Sequence, residues 1–335
     1  MKKLYLLALI GLFTSSGFSQ DTFSIIAVDP DTGEIGSAGA SCVQGIGSQG
    51  IIDIITRIIP GRGGVNSQAY VCIPNTNLIN AIDQMEMGAS PSEIIDYLLA
   101  NDDCASQGFD PQFRQYGIAD FDTNGDPRTA GFTGNMADDY KEDRQGATFS
   151  IQGNILLNQT VIDNMEANFN TTTGTLADKL MAAMQGANFA GADARCLSVG
   201  TSSTTAYLLV YKEDDDVNDP YIRINVGEQA DGIEPIDLLQ DAYDAFLSVN
   251  ENTFLGSIDL FPSPASNQLN IRTDASVVLS NAKIFNIQGK QVYNSSSFTT
   301  TSNTNAIDVS LLKSGVYFIQ LETNKGTTSM RFIKK

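Results

Sequence analysis

From residue 22 the chain alternates short β-branched or small-residue runs with turn clusters. Thr22-Phe23-Ser24-Ile25-Ile26-Ala27-Val28 is followed by Asp29-Pro30-Asp31-Thr32-Gly33 and then by Glu34-Ile35-Gly36-Ser37-Ala38-Gly39-Ala40-Ser41. That order predicts strand, tight turn, strand. A third strand is expected over Val65–Cys72 and a helix from near Asn77. At Ser90-Pro91-Ser92-Glu93, an N-cap serine, a proline at the first helical position and a glutamate three residues on predict a capped helix whose apolar face is Ile94, Ile95, Leu98 and Leu99. Further strands are expected at Phe113–Asp120 and Arg128–Thr133 around a turn at Asp122–Asp126, and at Thr148–Gln152. Helical spacing returns over Thr160–Phe169 and Leu176–Met184, with Gly186 closing the second. Strands at Ala206–Tyr211 and Tyr221–Asn225 precede a helix over Glu234–Leu247. Hairpins, helix pairs, hairpins and a final helix predict an α+β domain with helices packed on antiparallel sheets.

After Asn250 the helical periodicity stops. Short strands at Asn267–Arg272, Lys283–Ile287, Val316–Glu322 and Ser329–Ile333 lie between Ser, Thr and Asn clusters, the pattern of a small all-β sandwich. Charge changes at the same place. The chain of 335 residues carries a net −19, but residues 21–250 hold 34 acidic against 10 basic residues, whereas 251–335 hold 5 against 8. These shifts divide the chain into 21–250 and 251–335. The acidic balance excludes nucleic acid as a partner, since phosphate binding needs clustered Lys and Arg.

At the N-terminus, Lys2 and Lys3 precede an apolar run from Leu4 to Phe13 and then Thr14-Ser15-Ser16-Gly17. This is the order of a secretory signal peptide over residues 1–20, with cleavage after Ser19 or Gln20. The run is too short to span a bilayer, which takes roughly 20 residues. Export allows Cys42, Cys72, Cys104 and Cys196 to form two disulfides in any of three pairings, or to stay as isolated buried thiols.

The composition contains no histidine. A Ser–His–Asp triad, a Cys–His dyad and a His-ligated zinc are thereby excluded, and neither a cofactor nor a metal is expected. Asp120, Asp122, Asn124 and Gly125 open like a calcium loop, but Gly131 stands where the bidentate glutamate belongs, so a hairpin turn is the better reading. The acidic run Glu213–Asp216 with Asp219 reads as a solvated loop. Without imidazole, one base that still works near neutral pH is a free α-amine, which an N-terminal Thr or Ser can use to deprotonate its own hydroxyl.

The opening Thr22–Ser41 resembles the domain of unknown function 1028, within the N-terminal-nucleophile hydrolase superfamily. Asn66-Ser67-Gln68-Ala69, Arg114-Gln115-Tyr116-Gly117, Thr133-Gly134, Ile151-Gln152-Gly153-Asn154, Asp193–Cys196, Gly200–Ser203 and Asp219-Pro220-Tyr221 continue the likeness in order, over about residues 22–248. The resemblance implies a four-layer α-β-β-α sandwich and an amide hydrolase with Thr22 as nucleophile. It also implies Asn154, Asp193, Arg195, Arg114 and Gln115 as pocket residues, Asn154 donating to an oxyanion. The plainer readings are an ion pair for Asp193–Arg195 and a turn at Gln152–Asn154. Signal cleavage after Ser19 or Gln20 leaves Asp21 ahead of Thr22, so the free amine needs further trimming. The alternative is a surface binding protein that keeps the fold without catalysis.

Leu260-Phe261-Pro262-Ser263-Pro264-Ala265, Leu269-Asn270-Ile271, Ile284–Lys290, Leu312–Leu321 and Arg331–Lys335 resemble a type A sorting domain of the type IX secretion system. That resemblance implies the secretion machinery as partner and a secreted or cell-surface location. The substrate, a small-molecule or peptide amide, is not specified by any residue pattern.

Overall fold

The computed structural model describes residues 22–296, 300–301, 304–324 and 326–335. The expected signal peptide and the bonds at Ser19, Gln20 and Asp21 lie outside the described residues. The chain divides into two compact units between Tyr243 and Asp244. The first is a mixed α/β unit; the second takes in the last turns of the helix Pro235–Gly256 and is otherwise built of β-sheets.

In chain order the first unit contains β1 (Thr22–Val28), β2 (Ile35–Ser41), α1 (Ile52–Ile55), β3 (Thr56–Ile59), β4 (Gly63–Gln68), α2 (Thr76–Glu86), α3 (Pro91–Ala100), β5 (Gln115–Phe121), β6 (Pro127–Thr133), β7 (Glu142–Gln145), β8 (Phe149–Gly153), α4 (Thr160–Thr171), α5 (Leu176–Gly186), β9 (Thr205–Tyr211) and β10 (Ile222–Val226). The helix α6 (Pro235–Gly256) follows. One sheet runs in the order β10-β9-β2-β1-β8-β7 and the other β3-β4-β5-β6. All their pairings are antiparallel, so hairpin connections suffice.

All seven residues of β1 are buried, which explains its unalternating sequence: both of its faces are covered. Successive side chains point to opposite faces. Phe23, Ile25 and Ala27 face the helices α4 and α5, as their ladder partner Gly36 does beneath Leu180. A Cβ at Gly36 would lie 2.6 Å from the Leu180 side chain, so glycine sets how closely α5 approaches. Thr22, Ser24, Ile26 and Val28 face the second sheet. There Ile26 and Val28 join Ile58, Ala119, Phe121, Tyr207 and Leu209 in one apolar cluster. The outer face of the four-stranded sheet is closed by α2 and α3, through Leu78, Ala81, Met85, Ile94 and Leu98 against Val65, Tyr116 and Ile118.

Both ends of the sequence patterning are visible in the helices. Ser90 and Glu93 form the expected capping box, with the Ser90 amide donating to Glu93 Oε2 at 2.8 Å. A second box, between Thr175 and Asp178, starts α5: the Thr175 amide donates to Asp178 Oδ2 at 2.8 Å and the Asp178 amide to Thr175 Oγ1 at 3.2 Å. Thr175→Ala is expected to cost about 1 kcal/mol, read as a lowered urea midpoint with unchanged slope.

The second unit contains β11 (Ile258–Phe261), β12 (Gln268–Thr273), β13 (Leu279–Asn286), β14 (Gln291–Ser295), β15 (Thr300–Thr301), β16 (Thr304–Asp308), β17 (Gly315–Thr323) and β18 (Gly326–Lys334). They form two sheets, β11-β12-β16-β15 and β14-β13-β17-β18. The sheets enclose Leu269, Ile271, Ile284, Ile319, Leu321 and Phe332. The four expected strands correspond to β12, β13, β17 and β18.

Candidate functional site

Thr22 opens the central strand β1, fully buried. Its neighbours across the two ladders are Ser41 at the end of β2 and the chain leaving β8. Asn154, directly after β8, holds both main-chain groups of Thr22. The Thr22 amide donates to Asn154 Oδ1 at 3.3 Å, and the Asn154 amide donates to the Thr22 carbonyl at 3.2 Å. Gln68, at the end of β4 in the facing sheet, donates from Nε2 to the same carbonyl at 2.8 Å and to Gln115 Oε1 at 2.7 Å. Gln115 Nε2 in turn donates to the Gly153 carbonyl at 2.9 Å and to Thr133 Oγ1 at 2.9 Å. The first residue of β1 is thus clamped from both sheets.

This clamp is one end of a buried hydrogen-bond chain between the sheets. Tyr207 OH lies 2.8 Å from Ser37 Oγ, and Ser37 Oγ donates to Asn66 Oδ1 at 2.9 Å. Ser37 has one hydroxyl proton, so Tyr207 is the donor to Ser37. Burial raises the Tyr207 pKa above the ordinary phenol value, which keeps that proton in place. Asn66 Nδ2 donates to Ser24 Oγ at 3.1 Å, Ser24 Oγ donates to Gln68 Oε1 at 2.6 Å, and Gln68 donates to Thr22. Every donor points toward Thr22, and such aligned bonds polarise one another. Gln152 joins from β8, donating to Ser24 Oγ at 2.5 Å. Gly117 makes room for it: a Cβ there would lie 1.8 Å from Gln152 Oε1.

Asp193 and Arg195 stand on a turn that bridges the chain leaving β2 and the chain leaving β8, where the Ala194 amide donates to the Ile155 carbonyl at 2.8 Å. Asp193, fully buried, accepts from the Cys42 amide at 2.8 Å and from Arg195 Nε at 3.0 Å and Nη2 at 2.6 Å. Arg195 Nη2 also reaches Ser41 Oγ at 3.5 Å. The expected ion pair is therefore present, and it fastens the 193–195 turn to the end of β2. The disulfide Cys42–Cys196, with Cα atoms 5.8 Å apart, fastens the same turn covalently. The second disulfide is Cys72–Cys104, so one of the three open pairings is realised.

Arg114 is adjacent to Gln115 in sequence, yet its side chain leaves on the opposite face of the strand. It is fully buried, paired with Asp102 at 2.9 Å. It also donates to the carbonyls of Tyr70 at 2.6 Å, Cys104 at 3.0 Å and Ser106 at 2.5 Å. Its guanidinium is thereby committed to the loops joined by Cys72–Cys104. Of the expected pocket residues, the structure groups Asn154 and Gln115 around Thr22, places Asp193 and Arg195 beside its partner Ser41, and puts Arg114 elsewhere. Gln68, Ser24, Asn66 and Gln152 were not singled out as site residues by the sequence reading. Their signal is polar residues at alternate positions of otherwise buried strands.

Backbone strain gathers at the same place. Ala69 and Tyr70, directly after Gln68, have φ of 60° and 50°, and Ile155, directly after Asn154, has φ of 50°. A β-branched residue in this region is a genuine outlier, and such residues cluster where a site over-determines the chain. The Asp122–Asp126 segment is the expected hairpin turn between β5 and β6, with Asp122 Oδ1 accepting from the amides of Asn124 at 2.7 Å and Asp126 at 3.0 Å. Those two bonds hold the Asp122 carboxyl below its usual pKa.

A family model described as a family of unknown function (DUF1028) matches residues 22–236. A second, described as a secretion system C-terminal sorting domain, matches residues 259–335. Among solved structures, the crystal structure of protein SPO2555 from Silicibacter pomeroyi, a DUF1028 protein, aligns with 24% identity and a TM-score of 0.52, covering 67% of this chain and 88% of that one. The likeness at that identity is one of fold. The BSP domain of a biofilm associated protein aligns at 11% identity and a TM-score of 0.22, covering 96% of this chain and 52% of that one, and it carries no argument. No curated protein matches. The sorting domain indicates export by the type IX machinery, to the cell surface or the medium.

Proposed function

We propose, from the premise that this chain belongs to the DUF1028 family of unknown function, that it is a secreted N-terminal-nucleophile amide hydrolase acting through Thr22. Residues 21–250 are the cargo and 251–335 the sorting tail. In this reading, α2 and α3, the two facing sheets, and α4 and α5 are the layers of an α-β-β-α sandwich. The observation that carries the reading is the clamp on Thr22: its nitrogen lies 3.3 Å from Asn154 Oδ1 at the head of the central strand. Removal of the chain through Asp21 converts that nitrogen from an amide, which has no basicity, into an amine with a pKa near about 7.7–8.0. Asn154 then orients the amine toward the Thr22 hydroxyl. The amine takes the hydroxyl proton as Oγ attacks the substrate's amide carbonyl carbon, the C–N bond breaks, and the departing amine carries the proton away. Water hydrolyses the resulting ester and restores Thr22. Asp193, already engaged by Arg195 and the Cys42 amide, positions the neighbouring turn. Its substrate is an amide, small or peptide.

N-terminal sequencing and intact mass of the secreted protein test this directly. The expected chain begins at Thr22 and is acylated once by an excess of a β-lactone, whereas Thr22→Ala is not acylated. A fully occupied start at Gln20 or Asp21 would sink the mechanism. A second reading, a surface protein that binds without turnover, is favoured by one observation: a sizeable cavity of the first unit lies away from Thr22, towards the Ile35–Tyr211 end of the larger sheet.

A further inference from the structure

That cavity is a groove of about 610 Å³ between the edge strand β3 and the β9–β10 edge of the larger sheet. Its size falls within the roughly 300–1,000 Å³ range of ligand sites. All four residues of β3 line it, and β3 ends its sheet, with β4 as its one ladder partner among the described residues. An edge strand facing a cavity offers main-chain donors and acceptors to an added strand. Ile59, Ile82, Leu209, Tyr211 and Val217 give it apolar wall, with Val217 58% exposed, and the Arg223–Asp53 ion pair at 2.8 Å lines it as well, each of those two charges answered by the other. Thr56 is buried, its hydroxyl beside the Tyr207 phenol.

The charges are distinctive. In a domain where acids outnumber bases more than three to one, arginine finds a carboxylate easily. Arg62, Arg114, Arg128, Arg144, Arg195 and Arg223 each do so. Arg57 meets none among the described residues, and it is exposed into the groove. Glu86, on α2, lines the same groove with no cationic partner among the described residues. The groove therefore presents one unanswered charge of each sign, apolar walls and an open strand edge.

We propose that this groove binds a short apolar peptide with free termini, extended along β3, its carboxylate on Arg57 and its ammonium on Glu86. Main-chain bonds to β3 supply register, and the apolar walls take alternate side chains. The assignment does not depend on Thr22 and would stand if Thr22 proved inert.

Calorimetric titration of the full secreted chain with the tripeptide Leu-Leu-Leu tests it, alongside its N-acetylated and C-amidated forms. Saturable binding of the free peptide is expected, weakened roughly 10-fold or more by Arg57→Ala, as for loss of a charge-assisted hydrogen bond. The amidated peptide should be indifferent to Arg57→Ala, and the acetylated one to Glu86→Gln. Lys179→Ala removes a cation on α5 and should leave affinity unchanged. No saturable binding at millimolar peptide overturns the proposal. So does an equal loss for free and amidated peptide, or a loss with Lys179→Ala that matches Arg57→Ala.

Discussion

Arg114→Met should destabilise the first unit by about 3–5 kcal/mol, the cost of leaving a buried carboxylate without its cation. Asp102 has 1% of its side chain exposed and Arg114 none, so water cannot replace the lost partner. Asp102 keeps two other donors, Asn77 Nδ2 at 3.0 Å and the Cys104 amide at 2.9 Å, which places the loss toward the lower end. Three carbonyls bound by the guanidinium lose their donors as well. Against a total stability of roughly 5–15 kcal/mol for a typical domain, this is a large fraction. Equilibrium urea unfolding measures it. Adding Asp102→Asn should recover part of the loss, because the uncompensated charge is then gone. A shift in Arg114→Met below about 0.5 kcal/mol, the scale of an ordinary surface change, would contradict the role given to the buried Arg114–Asp102 pair.

Loss of the Cys42–Cys196 disulfide is expected to be at least as large and to act on the candidate site itself. The bond closes a separation of 154 residues, against 32 for Cys72–Cys104. On the chain-entropy account the two contribute about 5 and roughly 4 kcal/mol through the unfolded state. Cys42→Ser/Cys196→Ser should therefore lower the urea midpoint more than Cys72→Ser/Cys104→Ser. It should also speed amide hydrogen exchange at Cys42, whose N–H is held by Asp193 at 2.8 Å, with little change at the amides of α3. Equal midpoints for the two double variants would argue against loop length as the controlling quantity.

Much of the framework is legible in the sequence because local chemistry decides it. The Asp29–Gly33 turn forces the β1–β2 hairpin, and the Ser90–Glu93 box starts α3 where the residues require. Other elements depend on tertiary context. The strand β7 reads Glu-Asp-Arg-Gln, with no apolar residue, and exists because β8 offers it a ladder from Glu142↔Gly153 to Gln145↔Ser150. The Ile-rich stretch before Pro60 is a helical turn followed by β3, a change of direction that its uniform composition conceals. The strand expected to run to Cys72 stops at Gln68, since Ala69 and Tyr70 take positive φ without any glycine or asparagine to announce it.

The site divides in the same way. Thr22, Asn154 and Gln115 were identified through a likeness to a family, and their contacts are those of immediate neighbours. Ser24, Asn66, Gln68 and Gln152 lie in segments that carry the likeness, but a polar residue in a buried strand has a role only once its facing partners are known. Arg114 shows the converse: one residue from Gln115, it points to the other face, and period-two alternation alone would have separated them.

The Cys42–Cys196 bridge also sets when and where the Thr22 region can be complete. Inside the producing cell, thiols are kept reduced, so this bridge does not form there. Oxidation follows only once the chain has left the cytoplasm. The covalent tie beside Thr22 is therefore a product of the export route, made outside the compartment in which the chain is synthesised.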